Sequence, residues 1–175
     1  MPNRNDYIFN KPVGGRGGDS FGDELWSDTP VSEVEAWYGH AWGADFTVLK
    51  GIKVHWGRNS SRRVGQPSDG ELHTSYSFAP NERVRWMTLK GADPGSQGRC
   101  DSLSFEANNP FAAGGTGGSP HNEDLGNHVF HGFVGKAAGD IDSLGAVFHR
   151  RRHKPSARLE DHAEAQRTMD PPAEK

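Results

Sequence analysis

The chain reads as an all-β protein, and three observations predict it. Gly makes up 23 of the 175 residues, nearly twice its ~7% average share, and glycine collects in turns because it takes positive φ without steric cost. Before residue 150 no stretch repeats apolar residues at helical spacing over the length of a helix. Short apolar or alternating runs are instead separated by clusters of Gly, Pro, Asn and Asp. Many turns joining many short strands point to a sandwich, barrel or prism, and the length suits one domain with some chain to spare.

In order along the chain, Tyr7 to Val13 reads as a first strand, followed by a glycine-rich loop, Gly14 to Gly18. Val31 to His40 reads as a strand that places Val34, Ala36 and Tyr38 on one face. Ala41 to Asp45 interrupts it as an insertion, and Phe46 to Trp56 continues as a long strand with a bulge expected at Gly51. Asn59 to Gly70 is a polar loop. Leu72 to Phe78 and Glu82 to Leu89 read as a strand pair turned by Ala79-Pro80-Asn81. Gly91 to Arg99 is a second polar loop, Asp101 to Ala107 a strand, and Pro110 to Pro120 a glycine-rich segment. One internal echo accompanies these elements: Gly14-Gly-Arg-Gly-Gly18 recurs as Gly114-Gly-Thr-Gly-Gly118.

Phe130 to Phe148 reads as strand, tight polar loop, strand. Phe130 to Val134 and Ser143 to Phe148 are the apolar arms, and Gly135, Gly139, Asp140 and Asp142 lie between them. Glycines and carboxylates in a short loop can offer backbone N–H donors and carboxylate acceptors to one small polar ligand. The same residues also suit a purely structural turn.

This hairpin resembles the last hairpin of jacalin-related lectins, where a G-x-x-x-D loop before an apolar strand holds a sugar. The opening Gly14–Asp23 stretch, the Ile52–Gly57 strand, the Asp101–Phe105 strand and the Pro110–Pro120 loop resemble other parts of that family in the right order. The resemblance covers roughly residues 7 to 149. It implies a β-prism of three four-stranded Greek-key sheets with pseudo-threefold symmetry. It also implies a carbohydrate site shared by two segments about 120 residues apart, with neither catalysis nor metal.

On that resemblance Asp142 matches the terminal aspartate of the sugar loop, and its carboxylate would accept two hydroxyl hydrogen bonds of the stronger, charge-assisted sort. Gly139, Asp140 and Ile141 would supply backbone N–H groups, and Gly18 would close the site from the opening loop. The family's loop glycine falls on Ala138, whose Cβ narrows the approach to the backbone. The closing loop holds no aromatic, so a sugar face would need a stacking partner from elsewhere. The loop of residues 91–99 corresponds to the family's variable specificity loop, with Asp93 and Gln97, and also Arg99, as secondary contacts. The uncut run through Gly14–Gly18 tilts the expected ligand towards mannose or glucose, since galactose binders of the family use an amino terminus freed by cleavage there. A protein-interaction module on the same fold, with Ala138 marking a degenerate sugar site, is the alternative from another class.

Other chemistries find little support. A net charge of −3 gives the folded part no nucleic-acid footprint. The single Cys100 excludes an internal disulfide and reads as packing. Asp140 and Asp142 alternate on the presumed strand, so their side chains should diverge rather than form a glycosidase pair. His128 and His131 should face opposite sides, and no metal or other cofactor is expected. The expected partners are glycans or glycoproteins. No membrane insertion is expected, because no window approaches the length of a membrane span. Lacking an apolar leader, the chain is expected in the cytoplasm or released by a route without a signal peptide. One shallow monosaccharide site would bind weakly, with Kd on the order of mM, so a homo-oligomer is expected to supply avidity.

The domain is placed at residues 1–149. From residue 150 to 175 the chain is polar and Pro-containing, opening on the basic run His149–Lys154. Its few apolar residues cannot offset the entropy of ordering, and disorder is expected there. The basic run suits a solvated tail, a nuclear address or a nucleic-acid contact.

Overall fold

The computed structural model describes residues 3–68 and 70–151; most of the tail read as disordered lies outside the described residues. The elements in chain order are a 3-10 turn at Arg4–Asp6, β1 (Tyr7–Phe9), β2 (Val13–Gly14), β3 (Asp19–Ser20), β4 (Glu33–His40), β5 (Thr47–Trp56), β6 (Asn59–Ser60), β7 (Val64–Gly65), β8 (Leu72–Ser77), β9 (Trp86–Gly91), β10 (Cys100–Glu106), β11 (Pro110–Gly114), β12 (Ser119–Asn122), β13 (Phe130–Ala137) and β14 (Ile141–His149). They form three antiparallel sheets, as the resemblance implies. No helix among the described residues is long and apolar enough to cross a membrane.

Each sheet is built the same way. A central hairpin (β4–β5, β9–β10 or β13–β14) carries one edge strand on its second arm and another on its first. In the sheet of β13 and β14 both edges come from the chain's start: β1 and β2 flank β14, and β3 flanks β13. The chain thus opens and closes inside one sheet, which brings Gly14–Gly18 against the last hairpin. Two sheets have five strands rather than the expected four, because one edge is broken in two. At Asn10–Pro12 the proline has no N–H for the ladder. At Ser61 the side-chain hydroxyl, rather than a backbone carbonyl, accepts the Val54 N–H at 3.0 Å.

The apolar faces of the three sheets meet in one core. Phe21, Phe105, Phe133 and Phe148 are almost wholly buried there with Leu49, Ile52, Leu89 and Leu103. Val34 and Ala36 face inward on β4, and Tyr38 packs against the same core, as the alternation predicts. Leu72–Ser77 and Trp86–Gly91 do not pair with one another. β8 lies beside β4, and β9 lies beside β10 and β12. The Ala79–Asn81 turn, with Asn81 at φ +65°, therefore carries the chain from one sheet to the next.

The pseudo-threefold symmetry is sharpest at one position of each hairpin. Lys50, Asp101 and Asp142 are each skipped in the register between the two hairpin arms, so each is a bulge residue. A bulge re-aims the side chain at the point where it interrupts the ladder. The next residue in each case faces an edge-strand glycine: Gly51 opposite Gly65, Ser102 opposite Gly114, Ser143 opposite Gly14. All three glycines have positive φ, and a methyl group on any of them would collide with the bulge residue's carbonyl. The expected bulge at Gly51 sits one residue earlier, at Lys50.

Candidate functional site

The hairpin of β13 and β14 turns through Ala138–Asp140, closed by the Ala138 N–H donating to the Asp140 carbonyl at 3.0 Å. Gly135 and Asp142, expected in the loop, belong to the strands. Gly15 N–H donates to the Asp142 carbonyl at 2.9 Å, which docks the opening glycine loop on the hairpin. Gly18, at φ +80°, lies so close that a Cβ there would stand 2.5 Å from Asp142 Oδ1. Only glycine fits at this point, and it leaves the carboxylate its room.

Loops of the other two sheets complete the site. The Arg16 N–H donates to the Ser96 carbonyl at 2.8 Å, and the Gln66 N–H to the Gly139 carbonyl at 2.9 Å. Arg99 Nε donates to Asp140 Oδ2 at 2.8 Å, and the Trp42 N–H reaches the same oxygen at 2.9 Å. The Lys50 ammonium stands 2.5 Å from Asp140 Oδ1 as an ion pair, off the line of a directed hydrogen bond. The Trp42 loop and the Lys50 bulge of one sheet and the Arg99 loop of another therefore converge on Asp140 of the third. The result is a pocket of about 280 Å³ lined by Ala138, Gly139, Asp140 and Asp142 with Trp42, Gln66 and Arg99.

The two carboxylates have opposite electrostatics. Burial disfavours the charge on Asp140, but Lys50, the Trp42 N–H and Arg99 outweigh it and hold its carboxyl below the usual range. Asp142 is also buried, and burial together with the nearby Asp140 charge pushes its carboxyl up against the opposing pull of Arg99, 3.5 Å away. Its Oδ1 accepts no hydrogen bond from the described residues. Asp140 is thus a satisfied structural anion, and Asp142 retains unused acceptor capacity.

These positions revise several expectations. Asp140 and Asp142 do not diverge: Asp140 is a loop residue and Asp142 a bulge, so strand alternation does not govern them. Asp140 was expected to contribute its N–H; its carboxylate is the hub of the site. The side chain of Ile141 is fully buried in the core, so any part it takes in the site falls to its backbone, as expected for its N–H. Asp93 and Gln97 are exposed and lie outside the pocket, whereas Arg99 of the same loop reaches in. Sequence reasoning missed Lys50, Trp42 and Gln66. A lysine inside the apolar run Val48–Ile52 was a legible signal, because a buried lysine needs a counter-ion. Trp42, 81% exposed, supplies the aromatic that the closing loop lacks.

Of the other residues weighed, Cys100 is buried and its thiol is pushed far up by burial, as suits packing. The side chains of His128 and His131 bond to separate carbonyls, those of Val84 and Ser27. Glu35 meets His55 at 2.5 Å and His73 at 3.0 Å, with Glu33 nearby, in an ion-pair cluster on the β4, β5 and β8 strands. Glu33, Glu35 and His55 are the described residues whose side chains could converge on one cation.

Comparison with known proteins places this architecture. Residues 10–147 match the jacalin-like lectin domain. A comparison with curated proteins gave no match. Among solved structures, lamprey immune protein is similar at 20% identity and a TM-score of 0.68, over 83% of this chain and 45% of that one; the chain thus spans less than half of that protein. Malaysian banana lectin is similar at 17% identity and a TM-score of 0.63, over 83% of this chain and 98% of its own. A mannose-specific jacalin-related lectin from Morus nigra, solved with mannose, is similar at 18% identity and a TM-score of 0.62, over 81% and 96%. At these identities the likeness is one of fold. The match across residues 10–147 is one of sequence, and by it the chain belongs to the jacalin-like lectin family.

Proposed function

We propose that the protein binds carbohydrate, without catalysis, at the pocket beside Asp142. The observation that carries the proposal is the Asp142 carboxylate: buried, short of a hydrogen bond at Oδ1, and facing a pocket open to solvent. An acceptor of that kind suits the hydroxyls of a pyranose. Gly139 allows close approach of a ligand to the backbone, since nothing lies within 4 Å of where its Cβ would be. Trp42 offers a face for the C–H side of a sugar ring. Lys50 and Arg99 balance Asp140 and Asp142 in charge, which favours a neutral hexose over an acidic sugar. The mannose or glucose class is the preferred ligand, on the continuous Gly14–Gly18 loop and the mannose bound by the Morus nigra relative. Glycans or glycoproteins are then the partners, with self-association of the chain providing avidity.

A glycan array with the wild type beside Asp142→Asn tests this. Binding to mannose-type glycans that disappears in the variant is the expected result. A folded wild type that binds no glycan at high concentration would overturn the proposal. It would favour the second reading, a protein-interaction surface, for which the Ala138 methyl and the exposed Trp42 are the specific observations.

A further inference from the structure

We propose a transition-metal site of the Zn²⁺ class on the solvent face of the sheet of β4, β5 and β8, with Glu33, Glu35 and His55 as its ligands. It does not depend on the lectin reading, and none of these residues lines the pocket beside Asp142. Strand alternation puts them together. Val34 and Ala36 of β4 face the core, so Glu33 and Glu35, on the opposite face, point to solvent. The ladder sets His55 of β5 opposite Glu33 and His73 of β8 opposite Trp37. Glu35 lies between those two levels, so an imidazole approaches it diagonally from each neighbouring strand. His55 Nε2 stands 2.5 Å from Glu35 Oε2, and His73 Nε2 stands 3.0 Å from Glu35 Oε1. Glu33 Oε1 lies 3.8 Å from the same His55 nitrogen.

The donor atoms of Glu33, Glu35 and His55 all lie within 4.8 Å of one another. Around a tetrahedral Zn²⁺, with bonds of about 2.0–2.1 Å, neighbouring donors stand roughly 3.3 Å apart. The 2.5 and 3.8 Å separations bracket that value, so shifts of less than about 1 Å admit an ion. The side chains can make them, since those of Glu33 and His55 are 35% and 25% exposed. The fourth position is left to water. Burial disfavours the charge on Glu35, but the hydrogen bonds from His55 and His73 outweigh it and hold the carboxyl below the usual range. It is therefore an anionic ligand at neutral pH. His55 would ligate as the neutral Nδ1–H tautomer, with its Nε2 lone pair on the ion. His73 takes an outer role: it holds Glu35 by the second oxygen while its own ring rests on Trp37, with 4.6 Å between centroids. Partners of this kind orient a ligand. Lys53, opposite Glu35 in the ladder, forms no ion pair with it among the described residues, which leaves two carboxylates for one divalent ion. Imidazole nitrogen beside carboxylate oxygen suits Zn²⁺, whereas Mg²⁺ and Ca²⁺ prefer oxygen alone.

The test is a calorimetric titration of the full chain with Zn²⁺ alone, beside a visible-absorption titration with Co²⁺, which colours strongly only in a tetrahedral site. Cys100 is buried and offers no thiolate to compete. A single Zn²⁺ should bind with a Kd below ~100 µM. His55→Ala and Glu35→Gln should each weaken it at least ~100-fold, and His73→Ala, which removes only the outer partner, ~10-fold. Zn²⁺ should also raise the melting temperature of the wild type and leave that of Glu35→Gln unchanged. All these side chains sit on the solvent face, and circular dichroism in EDTA checks that each variant is folded before titration. Ca²⁺ and Mg²⁺ should give no heat. No Zn²⁺ binding by the wild type up to ~1 mM would overturn the site. Binding that survives both His55→Ala and Glu35→Gln would do so too, since the ion would then sit on other histidines. Ca²⁺ binding as tight as Zn²⁺ would overturn the metal class, and an unchanged affinity in His73→Ala would overturn its outer role.

Discussion

Replacing Lys50 by Met isolates the ion pair that holds the candidate site together. The Met side chain keeps most of the apolar stem and removes the ammonium. Lys50 and Asp140 have side chains that are 7% and 0% exposed, so solvent does little to screen the pair. Breaking a buried pair by removing one partner costs about 3–5 kcal/mol. Arg99 and the Trp42 N–H remain on Oδ2, which places the expected loss near the lower bound, about 3 kcal/mol. The pH dependence follows from the sign of the Asp140 shift. A carboxyl lowered in the folded state contributes stability that is present above its unfolded pKa and lost as pH falls through the folded value. In the variant that contribution is reduced to what Arg99 and the Trp42 N–H supply, so the gap between wild type and Lys50→Met should be widest at neutral pH and should close under acid conditions, where Asp140 is protonated in both. Urea unfolding at pH 7 and in acid reads it directly, given an unchanged slope. Adding Asp140→Asn removes the stranded charge and should recover about half or more of the loss, as coupled neighbours require. A Lys50→Met cost below about 1 kcal/mol at neutral pH, the range of surface pairs, would refute the reasoning. So would a double variant no more stable than the single one.

Other perturbations read other parts of the structure. Trp42→Ala should weaken sugar binding about 2–10-fold, the range of one aromatic face, and leave the melting temperature nearly unchanged because the ring is mostly in solvent; a titration beside a thermal melt separates the two. Sugar affinity at the Asp142 pocket should fall on acidification from a higher pH than an ordinary aspartate would give, because Asp142 is raised by burial and only its carboxylate accepts two hydroxyls; titrations between pH 4 and 7, in about half-unit steps around the ordinary Asp value, would show it. Glu123, pushed up to about 7 by burial while it accepts the Ala146 N–H, binds a proton in the folded state that the unfolded chain has released, so stability should decline as pH rises from its unfolded value towards 7. Glu123→Gln should flatten that decline and raise stability at pH 8 by up to about 3 kcal/mol, measured by urea unfolding.

How much of this was legible in the sequence follows from the range of the interactions involved. Turn chemistry and alternation are local, and they marked the β4 face, the last hairpin and both glycine loops. Sheet assignment is not local: β8 and β9 look like a hairpin through Ala79–Asn81 yet diverge, β8 pairing with β4 and β9 with β10. The family resemblance supplied the pairing of Gly18 with Asp142, which no local pattern carries. It assigned Asp140 by its backbone, and the carboxylate contacts with Lys50, Trp42 and Arg99 come from other sheets. The register around a bulge decides which way a side chain points, and one residue's displacement exchanges a strand face for a loop.

The three bulge positions explain why the site has the composition it has. The fold repeats one backbone device three times: a bulge residue whose carbonyl presses on a positive-φ glycine of the neighbouring edge strand. The backbone fixes the place but not the side chain, so the three copies were free to diverge. Asp142 and Asp101 keep the acid beside a full run of glycines. At Lys50 the counterpart of the glycine run is Gly65-Gln-Pro-Ser, the bulge residue is a base rather than an acid, and it neutralises Asp140. A cation at one copy thus supports the hairpin loop at another, and that loop turns through Ala138 where the family carries glycine. The Ala138 methyl narrows the pocket, but Lys50, Arg99 and the Trp42 N–H hold Asp140 from the far side. The loop is therefore set by charge rather than by glycine's freedom. Loss of the family glycine need not mean loss of the site, provided that Lys50 stays.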